Sequence, residues 1–153
     1  MSEKRKELVV SAIENGTVID HIPSDKLFLV IKILGLDNFN KPVTFGSNLE
    51  SKKIGQKGII KVQGKFFQDH EIRKIALAAP KATLITIKNY EVVDKRRVEL
   101  PDHIIGIVKC VNPKCITNNQ NVTQRFNLLD KDDVKLHCHY CEKITKKENF
   151  EFL

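Results

Sequence analysis

The sequence predicts an α+β protein in two parts: an antiparallel sheet backed by two helices, followed by a small all-β domain. Two observations lead to this fold class. The first hundred residues alternate between β-rich segments and two segments with the periodicity of amphipathic helices. The last third holds all four cysteines of the 153-residue chain, in two closely spaced pairs. Strands before and after two helices favour a layered α+β arrangement for the first part.

Five β-rich segments and two helices make up that first part. The predicted strands, each bounded by turn-forming residues, are Leu8–Ile13, Thr17–Ile22, Val43–Asn48, Lys53–Gln63 and Thr83–Val93. The first helix begins near Ser24 and runs to about Leu34, with Gly35 as its stop. The second helix begins near Asp69 and is stopped by Pro80. The order β-β-α-β-β-α-β predicts a ferredoxin-like antiparallel sheet with two helices behind it.

The chain is predicted to divide into residues 1–101 and residues 102–153. A basic run, Lys95-Arg96-Arg97, followed by Leu100-Pro101, is interpreted as the hinge. Beyond it, four short strands are predicted: Ile104–Lys109, Asn121–Leu129, Val134–His139 and Lys143–Phe152. Some fifty residues cannot bury enough apolar surface to fold without a metal or disulfides.

The cysteine spacing predicts one structural Zn²⁺ in this second part. A C-x4-C pair and a C-x2-C pair supply the two chelating loops of a tetrahedral site; the ligands are Cys110, Cys115, Cys138 and Cys141. Four thiolates leave no open position for water, so the metal builds a domain rather than performing chemistry. An iron site of similar spacing and disulfides are the alternatives. His137 and His139 flank Cys138 and would point away from it on a strand, so we expect them at the surface.

Charge and composition limit the function classes. The charged start, MSEKRKE, lacks the apolar core of a signal peptide, and no apolar run could span a membrane, so we expect a cytoplasmic protein. Through Pro101 the chain has 18 Lys and Arg against 12 Asp and Glu; afterwards it has 8 against 7. A zinc ribbon that grips nucleic acid would carry the basic excess itself, so this alternative is disfavoured. The excess instead indicates an anionic ligand in the first part.

Few residues suggest chemistry. Lys57, Ile59 and Lys61 share a strand face, which suits an anionic and partly apolar ligand such as a nucleotide, although solvated lysines on an edge strand are the commoner explanation. Asp20 and His21 are adjacent, and neighbours on a regular strand face opposite ways, so we do not expect them to orient one another. There is no free cysteine nucleophile and no glycine-rich phosphate loop, so we expect no enzyme activity.

Three blocks of the sequence resemble the aspartate carbamoyltransferase regulatory chain family. The blocks are Gly16-Thr-Val-Ile-Asp-His-Ile-Pro23; Ala79-Pro-Lys-Ala-Thr83 leading into Asn89-Tyr-Glu-Val-Val93, with Lys95 and Leu100-Pro101; and the four-cysteine pattern. They occur in the family's order and cover nearly the whole chain. The resemblance implies a non-catalytic subunit in pyrimidine biosynthesis, whose N-terminal domain binds CTP or ATP. It also implies regulatory dimers that join catalytic trimers through the zinc domain, two trimers and three dimers to the holoenzyme, with no nucleic acid or membrane as partner.

Carried over by position, the resemblance implies a nucleotide site. Its residues are Val10, Ile13, Asp20, His21, Lys57, Ile59, Lys61, Tyr90, Val92 and Lys95. Lysines and the histidine would meet the triphosphate, the aspartate would accept from ribose hydroxyls, and the apolar residues would contact base and ribose. The family often carries a polar or acidic residue where Ser11 stands, and Ile85 replaces a polar position near the expected base pocket, which leaves the choice between CTP and ATP open. Within residues 111–114 only Asn112 follows the family pattern, so partner contacts there are expected to differ.

Overall fold

The computed structural model describes residues 12–153, and its contacts separate the chain into two units between Glu99 and Leu100. The predicted strand Leu8–Ile13 lies outside the described residues except for its last two, and Val10 and Ser11 lie outside them as well. Within residues 12–153 no helix is long and apolar enough to cross a membrane.

The first unit is a five-stranded antiparallel sheet with two helices. Its elements are β1 (Gly16–Pro23), α1 (Leu27–Ile33), β2 (Val43–Ser51), β3 (Gly55–Gln63), α2 (Asp69–Ala78), β4 (Thr83–Lys88) and β5 (Glu91–Arg97). The strand order is β2-β3-β1-β4-β5. The first four strands and the helices thus have the ferredoxin-like order, and β5 extends the sheet at one edge. The predicted fold class is confirmed.

The two faces of this sheet differ in burial. In β3, Gly58, Ile60 and Val62 are buried, whereas the lysines and the isoleucine between them are half-buried. The buried set lies on the helix side, since a side chain at Gly58 would meet Leu27 of α1. We call the opposite side, which carries Lys57, Ile59 and Lys61, the open face. The alternation therefore places the core on one face and charged residues on the other.

The last predicted strand of this unit, Thr83–Val93, is wrong: it is a hairpin of two strands. Asn89 and Tyr90 form the two-residue turn, both with positive φ, 53° and 67°. Two such residues give the turn that matches the twist of paired strands, but the usual signal, a glycine, is missing here. The hinge predicted at Lys95-Arg96-Arg97 is also wrong, because these residues belong to β5. Basic side chains are common on such edge strands, where they discourage pairing with another chain.

The second unit is a small all-β sheet around a compact core. Its elements are β6 (His103–Ile105), α3 (Ile116–Asn119), β7 (Arg125–Asp130), β8 (Lys135–Cys138) and β9 (Ile144–Lys146). The four strands are antiparallel in the order β6-β7-β8-β9. Its fully buried side chains include Ile104, Phe126 and Leu136. The four strands were predicted, although each is shorter than expected; the single turn of α3 was not.

We expect Gly58→Val to lower the free energy of unfolding of the first unit by about 1–3 kcal/mol. A Cβ at this position would lie 2.9 Å from Leu27 Cδ1 and 3.2 Å from Leu27 Cβ, so a branched side chain forces α1 away from the sheet. Urea denaturation of the zinc-loaded chain measures the change. Gln56→Val, at an exposed position of the same strand, is the control and should stay within about 0.5 kcal/mol. Equal stability of the two variants would contradict this packing.

Candidate functional site

The four cysteines converge on one point in the second unit. Their sulfur atoms all lie within 4.8 Å of one another. Cys110 Sγ is 3.6 Å from Cys141 Sγ, and Cys115 Sγ is 3.7 Å from Cys138 Sγ. In a tetrahedral zinc site with Zn–S bonds of about 2.3 Å, neighbouring sulfurs are about 3.8 Å apart. The thiol set therefore fits one tetrahedral Zn²⁺, and none of these cysteines forms a disulfide.

Asparagine side chains from α3 shape the first chelating loop. The amide of Asn118 donates to the carbonyl oxygens of Cys110 and Asn112, at 2.9 and 2.7 Å. The amide of Asn119 donates to the carbonyls of Pro113 and Cys115, at 3.0 and 2.8 Å. Because these bonds cross the loop, they define its shape and hold its two cysteines at a fixed separation.

The second chelating loop is a tight turn at the end of β8. The Cys138 N–H donates to the Lys143 carbonyl at 2.9 Å, and the Glu142 N–H donates to the Cys138 carbonyl at 3.1 Å. Glu142 has a φ of 65°, which turns the chain back into β9. The turn brings Cys141 beside Cys138, as a C-x2-C ligand pair requires.

The protonation preferences of the thiols differ without a metal. Burial raises the pKa of Cys110 and Cys138 above the usual value for a thiol. For Cys141, burial acts in the same direction, but hydrogen bonds from the Lys143 backbone and the Asn112 side chain prevail and lower the pKa to about 7. Two buried thiols that resist ionisation alone would ionise beside a divalent cation, because metal binding displaces their protons.

The histidines next to Cys138 occupy other positions. His139 makes an edge-on ring contact with Tyr140, at 5.0 Å between centroids. His137 is the cross-strand partner of Asn127. The metal-ligating cluster found among residues 12–153 consists of the four cysteines.

A row of four residues crosses the open face of the first sheet. Lys61 in β3 pairs with Val18 in β1, Val18 pairs with Ile85 in β4, and Ile85 pairs with Lys95 in β5. Directly paired residues of antiparallel strands carry their side chains on the same face. The row therefore places one lysine at each end of a two-residue apolar strip.

Asp20 and His21 meet this face through a bulge in β1. Ile19 pairs with Ile60 and Ile22 pairs with Gly58, so the two residues between them oppose one residue of β3. His21 has a φ of 59°, and its N–H donates to Asp20 Oδ1 at 2.6 Å. His21 Nδ1 lies 3.9 Å from Asp20 Oδ2. Our expectation that these neighbours face opposite ways was wrong, because the bulge breaks the alternation.

Three lysines surround this pair. Lys57 Nζ lies 2.8 Å from Asp20 Oδ1, and both side chains are mostly buried. Burial lowers the pKa of His21; Asp20 opposes this effect, and Lys57, Lys53 and Lys95 add to it. The imidazole is therefore mainly neutral at pH 7. It is held by Thr83, whose Oγ1 lies 3.2 Å from His21 Nδ1.

Apolar side chains form the remainder of the open face. Ile13, Val18 and Ile87 make a buried cluster, and Ile59 and Ile85 pack against it. Ile59 and Ile85 are half-buried, so they are the part of this group that solvent reaches, and with the lysines they make a surface that is apolar in the middle and cationic at its margins. A ligand with a flat apolar part and an anionic part matches this pattern.

The β4–β5 hairpin carries the last two candidate residues. Tyr90 and Val92 are 67% and 60% exposed, so nothing within residues 12–153 covers them. Val92 pairs with Ile87, which places it beside the apolar cluster. The Tyr90 N–H donates to the Glu14 carbonyl at 2.9 Å, so the hairpin tip is tied to the segment before β1.

Three residues of this face were missing from the sequence-based set. Val18 and Ile87 could have been found from the two-residue period of a strand. Val18 lies two residues before Asp20, and Ile87 lies two residues after Ile85, and both of those positions were singled out. Lys53 could not, since it lies in the β2–β3 turn, where side-chain direction has no period. Eight candidates lie on or beside the open face: Ile13, Asp20, His21, Lys57, Ile59, Lys61, Val92 and Lys95. Tyr90 lies at the exposed tip of the β4–β5 hairpin, and Val10 lies outside the described residues.

Each of the two units matches a known protein family. A family profile described as the aspartate carbamoyltransferase regulatory chain, allosteric domain, matches residues 8–99. A second profile, the metal binding domain of the same chain, matches residues 102–151. A zinc ribbon that binds nucleic acid is therefore not favoured.

Curated relatives match along the whole chain. The aspartate carbamoyltransferase regulatory chain of Bacteroides fragilis is 52% identical over 153 residues, all of both chains. Those of Pyrococcus horikoshii and Thermococcus sibiricus are 51% and 53% identical over 144 residues, covering 93% and 94% of this chain and 95% of each relative. The chain thus belongs to the aspartate carbamoyltransferase regulatory chains, non-catalytic subunits with an allosteric domain and a metal-binding domain.

Proposed function

We propose that the open face of the first unit binds a nucleoside triphosphate effector, CTP or ATP. The observation that carries this proposal is the row from Lys61 through Val18 and Ile85 to Lys95. Its apolar centre suits a base and ribose, and its cationic ends suit phosphates. The family's allosteric domain, matched over residues 8–99, supports the assignment of a regulatory ligand to this unit.

The phosphates would be held by Lys57, Lys61, Lys95 and His21. Burial lowers the pKa of Lys61, and the negative charge of Asp20 opposes that effect, so this ammonium gains from any further anion nearby. A phosphate oxygen provides one, through charge-assisted hydrogen bonds that are about twice as strong as neutral ones. Lys53 would add a fourth lysine from the β2–β3 turn.

Asp20 would accept hydrogen bonds from the ribose hydroxyls. One of its oxygens, Oδ1, is 2.8 Å from Lys57 Nζ, and a carboxylate has further lone pairs for a hydroxyl donor. Ile85 offers the base no polar group, so backbone groups of the hairpin and of the segment before β1 would distinguish cytosine from adenine. Val10, Ile13, Ile59, Tyr90 and Val92 would supply the apolar and backbone contacts.

The second unit would carry the contact with the catalytic chain. Family membership implies a catalytic chain as partner. We propose the assembly of two catalytic trimers and three regulatory dimers, located in the cytoplasm, where free thiols persist and can bind zinc. For the regulatory dimer, we propose that a second copy packs against the edge of β2 that has no partner strand within residues 12–153. There Phe45 and Phe28 of α1 stack edge-on, 5.6 Å apart, and are 46% and 64% exposed.

Effector binding would act through the connection between the units, residues 98–102. Allosteric coupling is typically worth about 1–3 kcal/mol and is reciprocal for binding. An effector that inhibits must therefore bind more tightly to the substrate-free holoenzyme than to the substrate-loaded one. Because a ligand shifts an equilibrium only through such a difference, equal affinity for both states would mean no regulation.

We expect Cys138→Ser to lose zinc and to unfold the second unit. Zinc binding contributes about 10–16 kcal/mol of apparent free energy in small zinc modules, which is more than this sheet can supply alone. Metal analysis and hydrogen exchange measure the change: β6–β9 should lose protection while β1–β5 keep theirs. His139→Ala is the control and should keep one zinc per chain. Zinc loss in both variants would contradict a ligand set of four cysteines.

We expect Lys61→Ala and Lys95→Ala each to weaken CTP binding about tenfold, because each removes a charged hydrogen-bond donor. Isothermal titration calorimetry on the zinc-loaded chain is the measurement. Lys81→Ala, at an exposed position between α2 and β4, keeps the same net charge as the test variants and should bind like the unmodified chain. Equal losses in all three would indicate attraction by net charge alone, and no binding by the unmodified chain would refute the nucleotide site.

We expect the affinity for CTP to rise as the pH falls from 8 to 6. The pKa of His21 lies below its ordinary value, so the free imidazole is neutral over most of this range. A bound triphosphate raises that pKa, so binding takes up a proton and is favoured at lower pH. His21→Gln should flatten this dependence; comparing the two chains cancels the titration of the nucleotide itself. Identical slopes would remove His21 from the phosphate contacts.

A further inference from the structure

Asn15, just before β1, joins three parts of the first unit. Its backbone carbonyl accepts a hydrogen bond from the Gly64 N–H at 2.8 Å, at the end of β3. Its side-chain Oδ1 accepts from the Asn89 N–H at 3.2 Å, in the β4–β5 turn. The carbonyl of the preceding Glu14 accepts from the Tyr90 N–H at 2.9 Å. Both N–H groups of the turn are thus bonded to the segment before β1.

The turn that Asn15 holds is an unfavourable one. Asn89 and Tyr90 both have positive φ, and a left-handed conformation costs a residue with a side chain roughly 1–2 kcal/mol. Asparagine tolerates the left-handed conformation because its short polar side chain can bond the nearby backbone, but tyrosine has no such side chain. The hydrogen bonds that Asn89 and Tyr90 donate to Asn15 and Glu14 therefore help to hold this turn.

The residues proposed to contact the base lie next to the two hydrogen-bonded segments, the one before β1 and the β4–β5 turn. Ile13, two residues before Asn15, is buried against Val18 and Ile87. Val92, two residues after Tyr90, lies in β5 and pairs with Ile87 of β4. Strand pairing aligns Gly16, Ile87 and Val92, and the hydrogen bonds between the segment before β1 and the hairpin then tie the two sides of the apolar cluster together at their ends.

We propose that Asn15 is a positioning residue for the effector: its side-chain oxygen sets the distance between Ile13 and the Tyr90–Val92 wall, and thereby the affinity for the nucleotide base. This inference rests on the proposed nucleotide site and adds a residue that needs no contact with the ligand. The interaction is local, and no other side chain forms a described bond between these two segments within residues 12–153.

The test compares Asn15→Ala with Asn15→Asp. Alanine removes the acceptor of the Asn89 N–H, whereas aspartate keeps an oxygen at the same place. Asn15→Ala should weaken CTP binding about 3- to 10-fold, because binding must then order a hairpin that has lost about one hydrogen bond of stabilisation, and Asn15→Asp should stay within about twofold. Calorimetry on the full zinc-loaded chain at about 0.15 M salt screens the added charge. Asn40→Ala, at an exposed position between α1 and β2, is the control.

Hydrogen exchange supplies a second readout that is independent of the nucleotide. In the unliganded chain, the Asn89 and Tyr90 amides should exchange faster in Asn15→Ala than in the other chains, while the amides of β1 and β3 keep their rates. Unchanged CTP affinity in Asn15→Ala would overturn the inference, as would equal losses in the alanine and aspartate variants. If the unmodified chain binds neither CTP nor ATP, the proposed function fails and this role fails with it; binding by the unmodified chain with no effect of Asn15→Ala refutes this role alone.

Discussion

The pairing of the central strand β1 with β3 and β4 determines how the first unit is built, and one extra residue in that strand determines what its open face presents. Because Ile19 and Ile22 both remain paired with buried residues of β3, on either side of a one-residue register shift, the core face is not disturbed. The additional residue is absorbed by the left-handed backbone of His21. As a result, the carboxylate of Asp20 and the imidazole of His21 both meet the lysines of the open face.

Because side chains alternate between the two faces of a strand, the sheet carries its core residues on one face and the residues of the proposed site on the other. Side chains such as Ile19, Ile60 and Val62 are withdrawn from solvent on the helix side and supply the hydrophobic stabilisation. The alternate residues of the same strands include Lys57 and Lys61, whose ammonium groups would be costly in a core. The residues of the proposed nucleotide site that belong to β1 and β3 are therefore carried by strands of the sheet, where side chains are held more closely than on loops.

The second unit is stabilised in a different way. About fifty residues bury too little surface for independent stability, so a four-thiolate metal site takes the place of a larger core. Hydrogen bonds from Asn118 and Asn119 give its first loop a defined shape, and a left-handed Glu142 gives the second its turn. The protein thus couples one unit stabilised by packing to another stabilised by metal.

The sequence by itself determined the fold class, the two helices of the first unit and the metal ligands, because these depend on periodicity and on spacing along the chain. It also indicated Lys57, Ile59 and Lys61 as one face, since the strand that carries them is regular. Only the tertiary structure decided that Asp20 and His21 lie side by side, that Asn89 and Tyr90 turn the chain, and that residues 95–97 form a strand rather than a hinge. Those features depend on backbone conformations with positive φ and on pairing with distant strands, which no local pattern records. The row from Lys61 to Lys95 also depends on tertiary structure, because the packed sheet as a whole sets the register between strands that are far apart in the chain.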